Sequence, residues 1–341
     1  MSRSRIVYIA VSVLLSILLV GFLLSQVRTA DIAQTLKQVY VPALLVYIGV
    51  HLVSTWLKAW RYKCLLRPQG ISWSNIFMVT FIRGSLEDLL PARIGSLSYI
   101  YVLSKRLGFP FEAATSSFVV AFVLDFLTIG PFLVLAFAFA GFGLAGISAT
   151  AWLVLAGLYF VLMIVLLWRI VPVGRFLVSV YAALLRILRL DRGAKARLSV
   201  AKLGSTVDSL AGIRSPRIII PMFIVSLFIR LGKYVSLFVL LYALLRSHGF
   251  QWGDLSFWKT ILGLTGAEMT SALPVKGLAD FGTWESAWVL VFHWMGFDKR
   301  LALVSGFGIH LITNFWEYSL GFLSLLILIV PYLKKRRANR L

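Results

Sequence analysis

The sequence predicts an all-α polytopic integral membrane protein, with about six transmembrane helices plus two re-entrant helical hairpins arranged as two inverted-topology repeats. Three observations predict it. The 341 residues are 60% hydrophobic with a mean hydropathy of +0.90, which is more apolar surface than one soluble core can bury. Several apolar runs approach the roughly 20 residues that span a bilayer. The chain also repeats itself: shifted by 179, Pro42, Arg67, Gly70, Trp73 and Gly84 fall on Pro221, Arg246, Gly249, Trp252 and Gly263 without a gap. Four inserted residues later Leu90-Pro91-Ala92-Arg93 answers Leu273-Pro274-Val275-Lys276, and after five more Gly108-Phe109 answers Gly296-Phe297. Pro, Gly, Trp and Arg are uncommon inside membrane segments, so their shared register carries weight, and such self-similarity marks transporter folds.

The elements follow in order. The first 24 residues join a basic start (Arg3, Arg5) to an apolar stretch longer than a signal-peptide core, with no small-residue cleavage site after it. The run 6–25 therefore reads as an uncleaved first helix. Further crossings fall at 41–60, 112–141, 148–170, 218–246 and 301–331, each bounded by charge or turn residues. Segments 74–105 and 256–296 are apolar but interrupted by Gly and Pro, and read as re-entrant hairpins. Non-helical backbone at membrane depth is tolerated only where protein buries it or a wet cavity lines it, which places both breaks near the working site. The first repeat covers 41–141 and the second 218–331, within a single membrane domain.

Between the repeats, 169–217 carries ten basic residues. Phe176, Leu177, Val180, Leu184, Leu185 and Leu188 recur there at near-helical spacing among Arg175, Arg186, Arg189 and Arg192. This is a basic amphipathic helix on the cytoplasmic leaflet, or a plain connector whose charge sets orientation. Basic clusters at Lys58 to Arg67, Lys105 with Arg106, and Lys334 to Arg340 share its side if both termini are cytoplasmic. An odd number of crossings separates the two hairpins, so they enter from opposite faces and the repeats are inverted. The expected location is a bacterial or archaeal cytoplasmic (inner) membrane.

Composition narrows function. The net charge of +21 sits mostly beside apolar spans, so it sets topology and attracts anionic lipid rather than nucleic acid. One cysteine, Cys64, precludes an internal disulfide, and His51, His248, His293 and His310 lack metal-ligand spacing, so no metal and no cofactor is expected. No hydrophilic stretch is long enough for a soluble catalytic domain, which argues against an enzyme. A homodimer is left open.

Candidate site residues cluster at the two breaks. Around Pro91 and Gly95, helix-breaking residues free backbone N–H groups, while Arg93 offers a planar fork suited to phosphate. Glu87 and Asp88 stand beside it; local pairing of Arg83 or Arg93 with them is the structural alternative. In the second copy, around Pro274, Gly277 and Gly282, Lys276 takes the place of Arg93. Asp280 and Glu285 there are candidates to bind protons or cations, to contact a cationic headgroup, or to pair with Lys276. Arg230 and Lys233 lie about 12 apolar residues from either end of their span, three apart on one helix face, and should meet a cavity. Asp125, alone in an apolar span, is a candidate counter-ion, and Asn314, near the equivalent place, reads as a helix-packing hydrogen bonder.

Through Leu90-Pro91-Ala92-Arg93-Ile94-Gly95, Asp125, and Leu273-Pro274 with Gly277, Gly282 and Glu285, the chain resembles the lysylphosphatidylglycerol synthase transmembrane-region family over about residues 40–330. Ser96 and Tyr99 stand where that family commonly carries an acidic and a basic residue. The resemblance implies a membrane-embedded lipid translocator, often encoded with or fused to a lipid-modifying or glycosyl-transferring enzyme. The expected cargo is an anionic or lipid-linked headgroup, such as aminoacylated phosphatidylglycerol or a polyprenyl-phosphate-linked sugar. A proton- or sodium-coupled transporter of a small soluble anion and a membrane-embedded lipid transferase are the alternatives.

Overall fold

The computed structural model describes residues 17–25, 29–66, 70–140, 146–190, 193–213, 215–270 and 277–338. Every regular element among them is helical. α1 (Ile17–Leu24) and α2 (Thr29–Lys37) meet at 84°. α3 (Val41–Leu65) begins with Pro42 in its first turn, where the missing N–H costs nothing. α4 (Trp73–Leu89) is capped by Ser72, whose hydroxyl accepts the Asn75 N–H. It ends where Pro91 forces Leu90 into extended backbone (φ −101°, ψ 139°). A 3₁₀ stretch (Pro91–Leu97), the single turn α5 (Ser98–Tyr101) and a π turn (Val102–Arg106) complete the first break.

α6 (Phe111–Leu127) and α7 (Ile129–Ala140) run on as one apolar length. α8 (Ala149–Ile187) follows, then α9 (Ala194–Ile213), α10 (Pro216–Leu245) and α11 (Phe257–Thr270). A 3₁₀ turn (Leu278–Asp280), α12 (Thr283–Trp294) and α13 (Lys299–Ala338) close the chain. Among the described residues five helical lengths (Val41–Leu65, Phe111–Ala140, Ala149–Ile187, Pro216–His248 and Lys299–Leu328) are long and apolar enough to cross a membrane, or six if the bent α1–α2 pair is one crossing. α4, α11 and α12, at 17, 14 and 12 residues, extend only about 25, 21 and 18 Å, short of the ~30 Å hydrocarbon core.

The two expected hairpin segments are each helix, break, helix. At the predicted register the backbone also coincides: Gly70 and Gly249 take φ +61° and +88°, and Gly108 and Gly296 take +73° and +82°. α3 and α10, the first helix of each half, form the most extensive helix pair among the described residues. Their contacts descend in opposite directions. The Tyr40 N–H donates to the Ala243 carbonyl, Gly232 leaves room for Ser54, and Arg61 reaches Ser226, so the two helices are antiparallel. α4 packs on α13 across the halves, and α11 packs on α7 in the same sense.

The basic stretch 169–217 is shared between the second half of α8, which continues unbroken out of the span, and α9. α9 is not free on the surface: it packs against α6 and α8, with Ser116 Oγ 2.8 Å from Ser209 Oγ. Two apolar clusters build the interior. One gathers Tyr62, Ile76, Leu103 and Leu124; the other gathers Leu240, Ile261, Trp288 and Phe292.

Candidate functional site

Two hydrophobic helices carry polar stripes at helical spacing. On α3 these are Tyr47, His51, Ser54, Thr55 and Lys58; on α10 they are Ser226, Arg230, Lys233 and Ser236. The shift of 179 that aligns the halves carries Tyr47, His51 and Ser54 onto Ser226, Arg230 and Lys233. Residues at i, i+3, i+4 and i+7 share one helix face, and both stripes line one cavity of about 230 Å³. α4 contributes Arg83, Glu87 and Asp88; α6 adds Asp125, α11 Glu268, the 3₁₀ turn Asp280, and α13 His310, Asn314 and Glu317.

Burying charge costs several kcal/mol per ion unless it is paired and hydrogen-bonded, and most of these charges are. Arg61, wholly buried, donates from Nη1 to Asp125 Oδ1 at 2.6 Å and Ser226 Oγ at 2.8 Å. Arg230 donates to Glu268 Oε2 at 2.9 Å and to the Asp125 carbonyl at 2.6 Å. Lys233 Nζ lies 2.7 Å from Glu268 Oε1. Arg83 pairs with Glu87 one turn on at 3.1 Å, its guanidinium 5.6 and 5.7 Å from the ring centres of Tyr62 and Phe118.

Two charged side chains stand apart from these pairs. Among the described residues Lys58 and Asp88 line the cavity with no ion pair or hydrogen bond. The lining as a whole holds four cations (Lys58, Arg83, Arg230, Lys233) and six carboxylates (Glu87, Asp88, Asp125, Glu268, Asp280, Glu317). A chain of net charge +21 thus surrounds its cavity with slightly more acid than base.

An aromatic track leads to it from outside. Trp60, Trp56 and Trp73 stack in turn at 5.8 and 6.1 Å, followed by Phe77 at 5.9 Å and Phe81 at 6.4 Å. The three tryptophans are exposed on α3 and α4, and Phe81 lines the cavity.

A family model described as the lysylphosphatidylglycerol synthase TM region matches residues 9–321. The chain belongs to that family. The match begins nearer the N-terminus than the resemblance at the two breaks implied, and takes in α1 and α2 as well. No curated protein matches the chain.

In this lysylphosphatidylglycerol synthase transmembrane-region protein, the structure brings together Arg230, Lys233, Asp125, Asp280, Glu87 and Asp88 around one cavity. Glu285 departs from its expected role as a substrate contact. It is wholly buried, and its oxygens are taken by the Gly282 N–H at 2.7 Å and His310 Nδ1 at 2.5 Å. Pro91 opens the 3₁₀ stretch and Gly95 lies within it; a Cβ on Gly95 would lie 1.5 Å from the Leu86 carbonyl oxygen, so the chain passes that close only as glycine. Gly277 is buried. Gly282 opens α12 at φ +86°, with Leu19 of α1 packed against it. Lys276 and Pro274 lie outside the described residues, as does the side chain of Arg93. Tyr99 is buried against Tyr62 with its ring 4.4 Å away, and its hydroxyl lies 3.1 Å from Ser117 Oγ.

Sequence reasoning missed Lys58, Arg61, His51 and His310. The first two read as part of a cytoplasmic cluster because the apolar run stops at 60, yet α3 continues to Leu65. The signal was present: His51, Ser54, Thr55, Lys58 and Arg61 recur every three or four residues on one face. His310 carried no such pattern.

Proposed function

We propose that this protein moves the headgroup of a zwitterionic or anionic lipid between membrane leaflets, as a flippase or scramblase with no catalytic step of its own. The observation that carries this reading is that, among the described residues, Lys58 and Asp88 line the cavity without an ion pair or hydrogen bond while most of its other charges are paired. A cation and a carboxylate left without partners in a partly dry site are matched by a ligand carrying both phosphate and ammonium or hydroxyl groups. Aminoacylated phosphatidylglycerol has these groups; a polyprenyl-phosphate-linked sugar supplies phosphate and hydroxyls. Arg93 and Lys276, which the sequence sets beside Pro91 and Pro274, are assigned to the phosphate. The track from Trp60 to Phe81 favours lipid over a soluble solute, because it offers stacked apolar surface from the lipid-facing side to the cavity. A small soluble anion would meet a lining with more acid than base.

Antiparallel α3 and α10 support inverted repeats, which alternate access about a midplane site. Cysteines placed at Lys105 and Lys299 should then label from opposite sides of the membrane; same-side labelling refutes the inversion. The location proposed is the cytoplasmic membrane with both termini inside, and a lipid-modifying or glycosyl-transferring enzyme would supply the cargo. The functional test is reconstitution in liposomes with fluorescent phospholipids, including a lysylated phosphatidylglycerol analogue. Lys58→Gln and Asp88→Asn should each slow translocation roughly tenfold or more, the scale of one charge-assisted hydrogen bond, with folding unchanged. Wild-type rates in both variants would end the assignment.

A further inference from the structure

The buried pair Glu285–His310 has no part in the headgroup contacts assigned above, yet its geometry is specific. Glu285 Oε2 accepts the Gly282 N–H at 2.7 Å, which fixes the carboxylate at the start of α12. Its other oxygen lies 2.5 Å from His310 Nδ1. The imidazole is clamped between rings, 4.5 Å from Phe281 and 5.1 Å from Trp284. Its position is therefore fixed by α12, while α13 carries it.

A carboxylate on Nδ1 selects the tautomer in which Nδ1 bears the proton and Nε2 keeps its lone pair. His310 lines the cavity, and among the described residues no group hydrogen-bonds Nε2. Titratable groups lining the same cavity come from every side: Asp280 from the turn before α12, Arg83, Glu87 and Asp88 from α4, His51 and Lys58 from α3, Asp125 from α6, Arg230 and Lys233 from α10, Glu268 from α11, and Glu317 on α13 itself. Of these, Lys58 and Asp88 lack partners among the described residues.

We propose that His310 is a proton-binding site of the transport cycle, oriented by Glu285, at which a proton and a hydrogen-bond donor of the cargo headgroup exclude one another. This rests on the lipid-translocation reading and extends it to the driving force. With Nε2 unprotonated, the ring accepts a hydrogen bond from a headgroup ammonium or hydroxyl. When a proton binds Nε2 the lone pair is gone, that hydrogen bond breaks, and the imidazolium is held as a cation by Glu285. One proton taken up for each headgroup released couples translocation to a pH difference. Glu285 is a positioning residue; His310 is the contact.

The first test is nitrogen NMR on the full chain in nanodiscs, with histidine labelled and His310 assigned from the spectrum that His310→Gln lacks. Should that variant fail to fold, Glu285→Gln, which removes the charge and leaves one acceptor oxygen for the two donors Gly282 N–H and His310 Nδ1–H, supplies the assignment by shifting the His310 signal. The expected result is a protonated Nδ1 and an Nε2 that titrates, with phosphoethanolamine displacing the titration to lower pH by about one unit, a tenfold competition. No displacement, or displacement to higher pH as a phosphate seat would give, overturns the proposal. The second test is translocation in liposomes under an imposed pH difference. Wild type should respond to the gradient, His310→Gln should lose the response, and Glu285→Gln should move the pH profile to lower pH. A merely structural pair would change the rate and leave the profile in place. If wild type moves lipid indifferently to the gradient, the coupling falls and translocation stands; if it moves no lipid at any pH, translocation falls, and the NMR competition judges the site alone.

Discussion

The stretch from α3 to α7 and the stretch from α10 to α13 agree at their turns but not in their chemistry. Element order, the left-handed glycines at 70/249 and 108/296, and the exchanged packing of α4 on α13 and α11 on α7 agree between them. Charges do not. Lys58 and Arg61 of α3 have Leu237 and Leu240 as counterparts on α10, whereas Arg230 and Lys233 answer to His51 and Ser54. Because α3 and α10 run antiparallel, His51, Ser54 and Lys58 line the same cavity as Arg230 and Lys233, and Arg61, outside that lining, reaches Ser226 on the partner helix. Backbone symmetry can be kept by a few turn residues, while polarity is free to diverge wherever each buried charge finds a partner in either half.

The comparison is most exposed at its ion pairs. Arg61 alone neutralises Asp125 through a side-chain contact within 4 Å among the described residues. Arg61→Gln should therefore destabilise the fold by about 3–5 kcal/mol, read as a lower unfolding midpoint in detergent, and replacing both partners by apolar residues should recover much of it. Arg230→Gln leaves Glu268 still held by Lys233, so its cost should be only about 1–2 kcal/mol. If the two losses proved equal, the halves would not differ as described. The smallest effect tests the shared skeleton: Gly108→Ala and Gly296→Ala, each at positive φ with open space for a Cβ, should each cost about 1 kcal/mol and match within a few tenths. Unequal costs would break the equivalence of the two turns.

Much of this architecture is legible in the sequence because membrane crossing is a one-dimensional constraint. Apolar length gives the spans at 41–65, 111–140 and 216–248 to within a few residues, and Pro91 and Gly70 act on the backbone beside them. The cavity was legible where charge interrupts an apolar run, as at Arg230 and Asp125. It was not legible at Lys58, whose place near the end of an apolar run makes it look like an orientation signal, nor at His310. Only the packing of α12 on α13 gives that histidine its partner, Glu285.

α8 has a consequence of another kind. Its 39 residues measure about 58 Å at 1.5 Å per residue, nearly twice the ~30 Å hydrocarbon thickness. A straight crossing would need a tilt near 60°, beyond the 0–40° that membrane helices show. Pro172 removes one backbone donor near its middle, and beyond it Phe176, Leu177, Leu184 and Ile187 remain exposed beside Arg175 and Arg186. The distal part of α8 is thus long enough to leave the hydrocarbon core, and its exposed apolar row among arginines suits the headgroup level, where α9 packs beside it. Since only 6% of its most apolar window is buried by the rest of the protein, a change in the tilt of α8 to match bilayer thickness would disturb few of the contacts that hold the cavity.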